Sequence, residues 1–362
     1  MKIAILGTRG IPNNYGGFEQ LAEYLSLGLV QKGHDVYVYS SSKHSYQEKT
    51  WKGVHILHQS DPEKSIGTVG QFIYDLNCIL DSRKRGFDSI LNLGYTSSSV
   101  WMRLFSSKTR IITNMDGLEW KRTKYSKKVQ RFLMMAEKWA VKRSHALVAD
   151  SLAIQDYLLK KYEAPSHFIA YGAHLFNTPN EAVLAPYGLL PNTYNMLIAR
   201  MEPENNIEMI LDGVVQSNST LPFYVVGNAN NKFGLHLQEK FKQDKRIVFA
   251  GPIYGIESVN NLRYYCNLYF HGHSVGGTNP SLLEAMASKT LIAAHANEFN
   301  KSVLGGDAYY FTSAAEVANL LGSTDKQATA SQAFLHNNFE KIRSLYSWDK
   351  IVSAYEQVMI QA

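Results

Sequence analysis

A strand–helix alternation runs through the first half of this chain, breaks, and starts again. Short apolar runs at residues 2–7, 35–40, 54–58, 89–93, 110–114, 146–150 and 167–171 read as strands, with helical stretches between most of them. Phe18, Leu21, Ala22, Leu25 and Leu29 recur at helical spacing between the first two. The alternation resumes with strands at 195–199, 223–227, 246–250, 268–271 and 290–294. Repeated units of this kind build a parallel sheet with helices on both faces. There are too many units for one sheet with a single switch point. The stretch 176–195, with Pro179, Pro186, Gly188 and Pro191, reads as the linker between two series. The expected fold is α/β: two doubly wound, Rossmann-like domains facing a cleft, with ligand at the carboxyl ends of the strands.

A length of 362 residues suits two domains, and 45% hydrophobic with 19% charged residues marks a globular chain. The net charge of +6 favours an anionic partner such as a nucleotide, a nucleic acid or an acidic membrane. Cys78 and Cys266 lie far apart without metal-ligand spacing, so they read as core thiols in a reducing compartment. The opening MKIAILGTRG is too short an apolar run for a signal peptide, and no run is long enough to span a bilayer.

The richest segment is HGHSVGGTNPSLLEAMASK, residues 271–289. It leaves a strand, turns through Gly276-Gly277-Thr278, and opens a helix at Asn279-Pro280. Asn279 suits the N-cap and Pro280 the first helical position. The amides of Ser281 and Leu282 are then expected to face outward as an anion site, with the Glu284 carboxylate one turn along. Phosphate donors beside a carboxylate suit a nucleotide; the alternative is an ordinary capped helix with a surface glutamate. His271 and His273 read as hydrogen-bonded cleft residues rather than metal ligands, since no third ligand is near in sequence.

Other strand ends carry further candidates. The first turn, GTRGIPNNYGGFEQ, lacks the G-x-G-x-x-G spacing, and Ser40 to Ser42 stand where an acid would bind an adenosine ribose. Gly16-Gly17 still reads as a close-approach turn before a helix. Arg9 in that loop is either a solvated charge or a ligand contact. Arg200 ends a strand at the cleft side, where a guanidinium can clamp a diphosphate or pair with Glu202 or Glu204. Asn228 lies on the same rim as a ligand contact or a turn residue. Asp116, followed by Gly117, is a base, a sugar-orienting group or a turn residue. Residues 121–143 hold nine Lys or Arg and one acid, Glu137, with Val129, Phe132, Leu133, Ala136 and Ala140 at helical spacing. That is a basic amphipathic helix, suited to an anionic membrane surface or to a core-facing role with a solvated basic face.

Together these residues resemble the retaining GT-B glycosyltransferases of family 4 over nearly the whole chain. The resemblance rests on Gly16-Gly17, Arg200 with its Glu-Pro-Glu, Gly227, the segment through Glu284-Ala285-Met286, and Tyr346-Ser347-Trp348 before a terminal helix. A narrower resemblance, through GTRGIP, DGLEW and GGTNPSLLEAM, is to a subgroup of bacterial rhamnosyltransferases. It implies an acceptor-binding N-terminal domain of residues 1–185, completed by a C-terminal helix at 346–362, and a nucleotide-sugar-binding domain of residues 186–345. Two positions depart from the family. Its E-x7-E pair has Glu284 as the second, ribose-contacting glutamate, but Gly276 where the first would contact the donor sugar. Its lysine five residues after the arginine is Asn205 here, with Lys301 or Arg263 as substitutes.

The resemblance implies front-face transfer with retention. Arg200 and the amides of Ser281 and Leu282 would stabilise the leaving diphosphate, and Asp116 would orient sugar or acceptor. Gly16, Gly17, Asn205, Asn228, Gly276, Gly277, Thr278 and Asn279 would complete the donor site. The implied donor is dTDP-L-rhamnose, with no metal or other cofactor. The implied acceptor is lipid-linked or an oligosaccharide of cell-wall or capsular polysaccharide, met at the cytoplasmic face of the membrane. The rival readings are a UDP-hexose donor on the same fold and a non-catalytic nucleotide-sugar-binding protein. Nucleic-acid binding is set aside for want of interleaved aromatics in the basic stretch.

Overall fold

The computed structural model describes residues 1–14, 16–121, 125–253 and 255–361. Tyr15 of the first turn, Arg122 of the segment after DGLEW, and Lys124 of the basic stretch therefore lie outside the described residues. Contact density divides the chain into two units, Met1–Gly172 with Trp348–Ala362, and Ala173–Ser347.

The first unit holds β1 (Lys2–Leu6), β2 (Asp35–Ser41), β3 (Thr50–Trp51), β4 (Val54–Gln59), β5 (Ser89–Leu93), β6 (Arg110–Asn114), β7 (Ala146–Ala149) and β8 (His167–Phe168). Its helices are α1 (Gly17–Gln31), α2 (Glu63–Ile66), α3 (Val69–Ser82), α4 (Lys127–Arg143) and α5 (Leu152–Tyr162). The strands lie in the order β3-β4-β2-β1-β5-β6-β7-β8. All pairs are parallel except β3 with β4, a short hairpin that the apolar-run reading does not contain. Chain order reverses between β1 and β5, so the crevice of this sheet opens there.

The second unit holds α6 (Ile207–Gln216), α7 (Lys232–Phe241), α8 (Ile256–Tyr265), α9 (Pro280–Ala287), α10 (Glu298–Leu304), α11 (Ala314–Ser323) and α12 (Thr329–Leu345). Its parallel strands are β9 (Asn195–Ile198), β10 (Phe223–Val226), β11 (Ile247–Gly251), β12 (Leu268–His271), β13 (Ile292–His295) and β14 (Tyr309–Phe311), in the order β11-β10-β9-β12-β13-β14. The switch point falls between β9 and β12. One face of the sheet buries Leu197, Phe223, Val225, Leu268 and Phe270 against Ile207, Ile210 and Leu211 of α6 and Leu237 of α7. The doubly wound α/β class expected from the alternation is present in both units.

The proline-rich stretch 176–195 is not a linker. Its turn Glu181–Tyr187 packs on α8; Asn261 Oδ1 accepts from Asn180 N at 2.7 Å, and the Tyr224 hydroxyl donates to Tyr187 O at 3.2 Å. The division falls at Gly172, where the sequence reading has it at residue 185. Only Pro186 lies within that short packed helix, which short-range composition does not distinguish from a tether.

The last helix, α13 (Trp348–Gln361), belongs to the first unit. Arg110 donates to the end carbonyls of Met359 and Ile360 at 3.1 and 2.7 Å, and Asn114 Nδ2 donates to the Tyr355 hydroxyl at 2.7 Å. Glu356 pairs with Lys32 and His34. Both cysteines are buried and free. Among the described residues no helix is long and apolar enough to cross a membrane.

Helices α1 and α13 meet at Gly28, where a Cβ would stand 2.5 Å from Val352 Cγ2. Gly28→Val should lower the unfolding free energy by about 1–3 kcal/mol through overpacking. Val352→Ala in the same chain should restore part of that loss. An unchanged urea midpoint in Gly28→Val would show that the two helices do not pack this closely.

Candidate functional site

At the switch point of the second unit, Arg200 follows β9 as an exposed side chain. No ion pair to Glu202 or Glu204 forms among the described residues, so its charge is not spent locally. The neighbouring backbone is tightly stitched. A Cβ on Gly272, just past β12, would lie 2.1 Å from Asn205 O, so only glycine lets the two loops cross. Asn206 Nδ2 donates to Gly272 O at 2.7 Å, and the Ser274 hydroxyl donates to Glu204 O at 2.7 Å. Asn205 is buried, and its Nδ2 donates to Arg200 O at 2.8 Å. Its side chain thus braces the strand end that carries Arg200.

The Gly-rich loop is fixed at Ser274 and again at Asn279, leaving Val275, Gly276 and Gly277 half-buried between. Thr278 is buried. Gly276 has a φ of 126° and no atom within 4 Å of where its Cβ would stand, so open space occupies the position of the missing glutamate. Asn228 is exposed and its Oδ1 accepts from Asn230 N at 3.0 Å, which is the turn reading of that residue.

The start of α9 corrects one expectation. Asn279 is the N-cap, as its residue type predicts, but it uses the amides assigned to a ligand. Ser281 N donates to Asn279 Oδ1 at 2.9 Å, and Leu282 N donates to Asn279 O at 3.0 Å. A strong cap leaves these donors satisfied. What the helix end still offers an anion is the positive pole of its dipole.

Glu284 is not a bare surface carboxylate either. Its Oε2 accepts from Arg263 Nη1 at 2.7 Å, and Arg263 Nη2 donates to the Ser281 hydroxyl at 2.8 Å. Ser281 and the Tyr269 hydroxyl share a bond of 3.0 Å. Arg263 is only 1% exposed, so it cannot stand in for the lysine absent at Asn205. Lys301, the other substitute, is exposed on α10 and lies over the Tyr310 ring. Sequence reading identifies Arg263 only as a spare cation, because its partner lies 21 residues away on another helix.

His271 differs from its expected hydrogen-bonded state. It is 1% exposed, and neither ring nitrogen has a hydrogen-bond partner among the described residues. It stacks on His273 with centroids 4.4 Å apart. Burial holds its pKa well below the ordinary value, with the charges of His273 and Arg263 acting in the same direction. Among the described residues no group of three His, Cys, Asp or Glu is placed to hold a metal.

In the first unit the switch-point loop begins at Gly7, where a Cβ would lie 2.1 Å from Leu93 O. Gly16, at φ 116°, is the N-cap of α1, and Gly17 is its first residue. Arg9 is an exposed loop charge that forks onto Glu63, with Nε and Nη2 at 3.1 and 2.9 Å from its two oxygens. Asp116 has a φ of 51°, and its amide donates to Asn114 Oδ1 at 2.9 Å. Aspartate adopts this region more readily than most residues, and the bond to Asn114 is the turn reading of this segment.

The DGLEW turn is anchored by Glu137 of α4, a buried carboxylate. Tyr157, Tyr162 and Lys161 donate to its Oε1 at 2.7, 2.6 and 3.0 Å; Tyr95 and Trp120 donate to its Oε2 at 3.3 and 3.2 Å. Sequence reading passes over this residue, although a lone acid beside Leu133, Ala136 and Ala140 on the apolar side of a basic helix is a visible signal.

Residues 1–174 match a family profile described as a domain of unknown function, DUF1972. No curated protein matches the chain. Among solved structures, a sucrose-phosphate synthase from Thermosynechococcus elongatus is 16% identical with a TM-score of 0.80, covering 99% of this chain and 98% of its own. Anabaena Alr3699/HepE, in complex with UDP and glucose, is 15% identical with a TM-score of 0.78 over 100% of both chains. WaaG, a glycosyltransferase involved in lipopolysaccharide biosynthesis, is 12% identical with a TM-score of 0.73 over 100% of both. The chain thus has the GT-B fold of two Rossmann-like domains.

His271 also sets a pH dependence. Its folded pKa is depressed, so its contribution to stability is present above the unfolded value of about 6.5 and is lost as pH falls toward the folded one. His271→Phe should flatten the decline in unfolding free energy between about pH 7.5 and about pH 5.5. An identical slope in the variant would mean that His271 titrates as an ordinary imidazole.

Proposed function

We propose that the chain is a retaining glycosyltransferase that transfers L-rhamnose from dTDP-L-rhamnose to a lipid-linked or oligosaccharide acceptor of a bacterial surface polysaccharide. The observation that carries this reading is Arg200: an exposed guanidinium without an ion partner among the described residues, at the switch point of a doubly wound sheet, beside a glycine loop and a helix N-terminus. Such a rim binds phosphates, and a nucleoside diphosphate supplies two. The GT-B fold supports the reaction class, and the Anabaena protein of like fold binds UDP and glucose. The GTRGIP, DGLEW and GGTNPSLLEAM strings support the rhamnosyl donor. The open space at Gly276 suits a sugar pocket rebuilt for a donor lacking one hydroxyl.

In the reaction the bond from the anomeric carbon to the diphosphate oxygen breaks, and an acceptor hydroxyl bonds to that carbon from the same face. Its proton passes to the departing phosphate oxygen, so no strong protein base is required. Arg200 and the positive pole of α9 act where leaving-group charge develops. Asp116, in its constrained turn, orients sugar or acceptor.

The outer side of α4 supports an acceptor presented at an anionic membrane, at its cytoplasmic face. Lys127, Lys128, Arg131, Lys138, Lys142 and Arg143 are exposed and have no ion partner among the described residues. Met135 and Trp139 are exposed between them. A cationic helix face with apolar side chains at its centre suits the headgroup boundary of a bilayer.

Calorimetry with dTDP-L-rhamnose, UDP-glucose and UDP-N-acetylglucosamine tests the donor. Preference for dTDP-L-rhamnose is expected; preference for a uridine donor would keep the reaction class and remove rhamnose. Arg200→Ala should cut transfer by about 100-fold or more without altering the fold, since the side chain is exposed and has no ion partner among the described residues. Wild-type turnover would remove Arg200 from the site. Changing Lys127, Lys128 and Arg131 to glutamine should release the protein from phosphatidylglycerol vesicles but not from solution substrates. Undiminished sedimentation with vesicles would place the membrane contact elsewhere.

A further inference from the structure

Helix α3 carries apolar side chains on both of its sides. Tyr74, Cys78 and Ile79 are buried on one side. On the other, Val69, Ile73 and Leu80 are exposed, Val69 to 62%, and Leu76 between them is half-buried. Steps of four, three and four residues place these side chains in one row along the helix. The two acids of α3 do not interrupt the row. Asp75 is buried and accepts from the Ser97 hydroxyl at 2.5 Å, and Asp81 is held by Arg85 and the Tyr39 hydroxyl. Ile66 of α2, just before α3, is exposed as well. A helix that is apolar all round is normally buried, so an open apolar row marks a surface that another body covers.

The apolar surface continues onto α4. The Phe72 ring meets Phe132 with centroids 5.8 Å apart, and Phe132 meets Trp139 at 6.5 Å. Trp139 and Met135 are exposed among the cations of α4. Lys64 stands exposed just before α3, and Arg83 and Lys84 just after it. This charge pattern selects the occupant. A second copy of the chain would bring two sets of like charges to one interface. A lipid surface, with anionic headgroups above acyl chains, matches the cations and the apolar row together. At roughly 20 Å, α3 is too short to cross a bilayer and long enough to lie in its interface. We infer that α3 is a membrane-insertion element, lying along an anionic bilayer with Val69, Ile73 and Leu80 below the headgroups. This rests on the proposed membrane contact of α4 and deepens it. An attraction that salt screens becomes an anchorage that salt leaves in place.

Ile73→Cys puts an accessible thiol in the row. Both native cysteines are buried, so a nitrobenzoxadiazole label can be attached at that position alone. On the full chain, vesicles of phosphatidylglycerol and phosphatidylcholine should brighten the label and protect it from quenching by aqueous iodide. Val69→Ser combined with Ile73→Ser removes only exposed apolar surface, so the fold should persist. In about 0.5 M NaCl this double variant should bind the vesicles about tenfold more weakly than the wild type, or worse. A label that stays quenched on protein sedimenting with the vesicles overturns the inference and leaves the α4 contact standing. So does wild-type binding that vanishes at that salt, or high-salt binding undiminished in the double variant. Label protection that appears without lipid and grows with protein concentration gives the row to a second copy, and overturns the inference as well. If the wild-type chain sediments with no vesicles at any salt, the α4 reading fails and this inference with it.

Discussion

The candidate site depends on how closely the backbone crosses itself where it leaves the strands. At Gly7 against Leu93 and at Gly272 against Asn205, a Cβ would sit 2.1 Å from a carbonyl oxygen. No side chain survives at such a distance, so these positions are set by contact with the backbone opposite. The crossings draw the loops after the central strands together, one in each unit. In the second unit they bring the segment carrying Arg200 beside the Gly-rich loop. Asn205, Asn206 and Ser274 then lock that approach with hydrogen bonds to carbonyl groups. The exposed cation is presented by a rigid support, and this preorganisation gives a fixed charge its value to a reaction.

Two buried charges do the remaining organisation, and each is handled in its own way. Glu137 is surrounded by five donors from Tyr95, Trp120, Tyr157, Lys161 and Tyr162. The charge is spread over many hydrogen bonds, and the aromatic rings close out water. Arg263 is served more sparingly, with one carboxylate, two other acceptors and an Nε that finds none. The first arrangement secures a turn. The second fixes the orientation of a single side chain.

The fold was legible because buried parallel strands are near-continuous apolar runs. β5, β6 and β12 fall where those runs lie, and the ends of most others shift by a residue or two. β3 was not legible: two residues pair only because β4 lies beside them. The error over residues 176–195 has a similar cause, since prolines mark a bend without saying whether it is packed. In the candidate site, the exposure of Arg200 and the turn of the Gly-rich loop could be expected from their places at strand ends. The fate of the Ser281 and Leu282 amides could not, because a good N-cap and an open anion site share one sequence signature. The tie between Arg263 and Glu284 depends on the packing of α8 against α9, which no short-range pattern encodes.

The placement of α13 has a consequence for how the molecule is made. The bond from Arg110 to the carbonyl of Met359 spans 249 residues, and an entire second unit is synthesised between the two. The unit that begins to emerge first from a ribosome therefore finishes last. Until the terminal helix arrives, Tyr24 and Gly28 of α1 lack the Trp348 and Val352 side chains that they pack against. Nascent chains are most prone to aggregate in such intervals. The second unit, continuous in sequence, has no such wait. During translation the order of completion is thus the reverse of the order of synthesis, and protection of the early unit falls to chaperones or to speed.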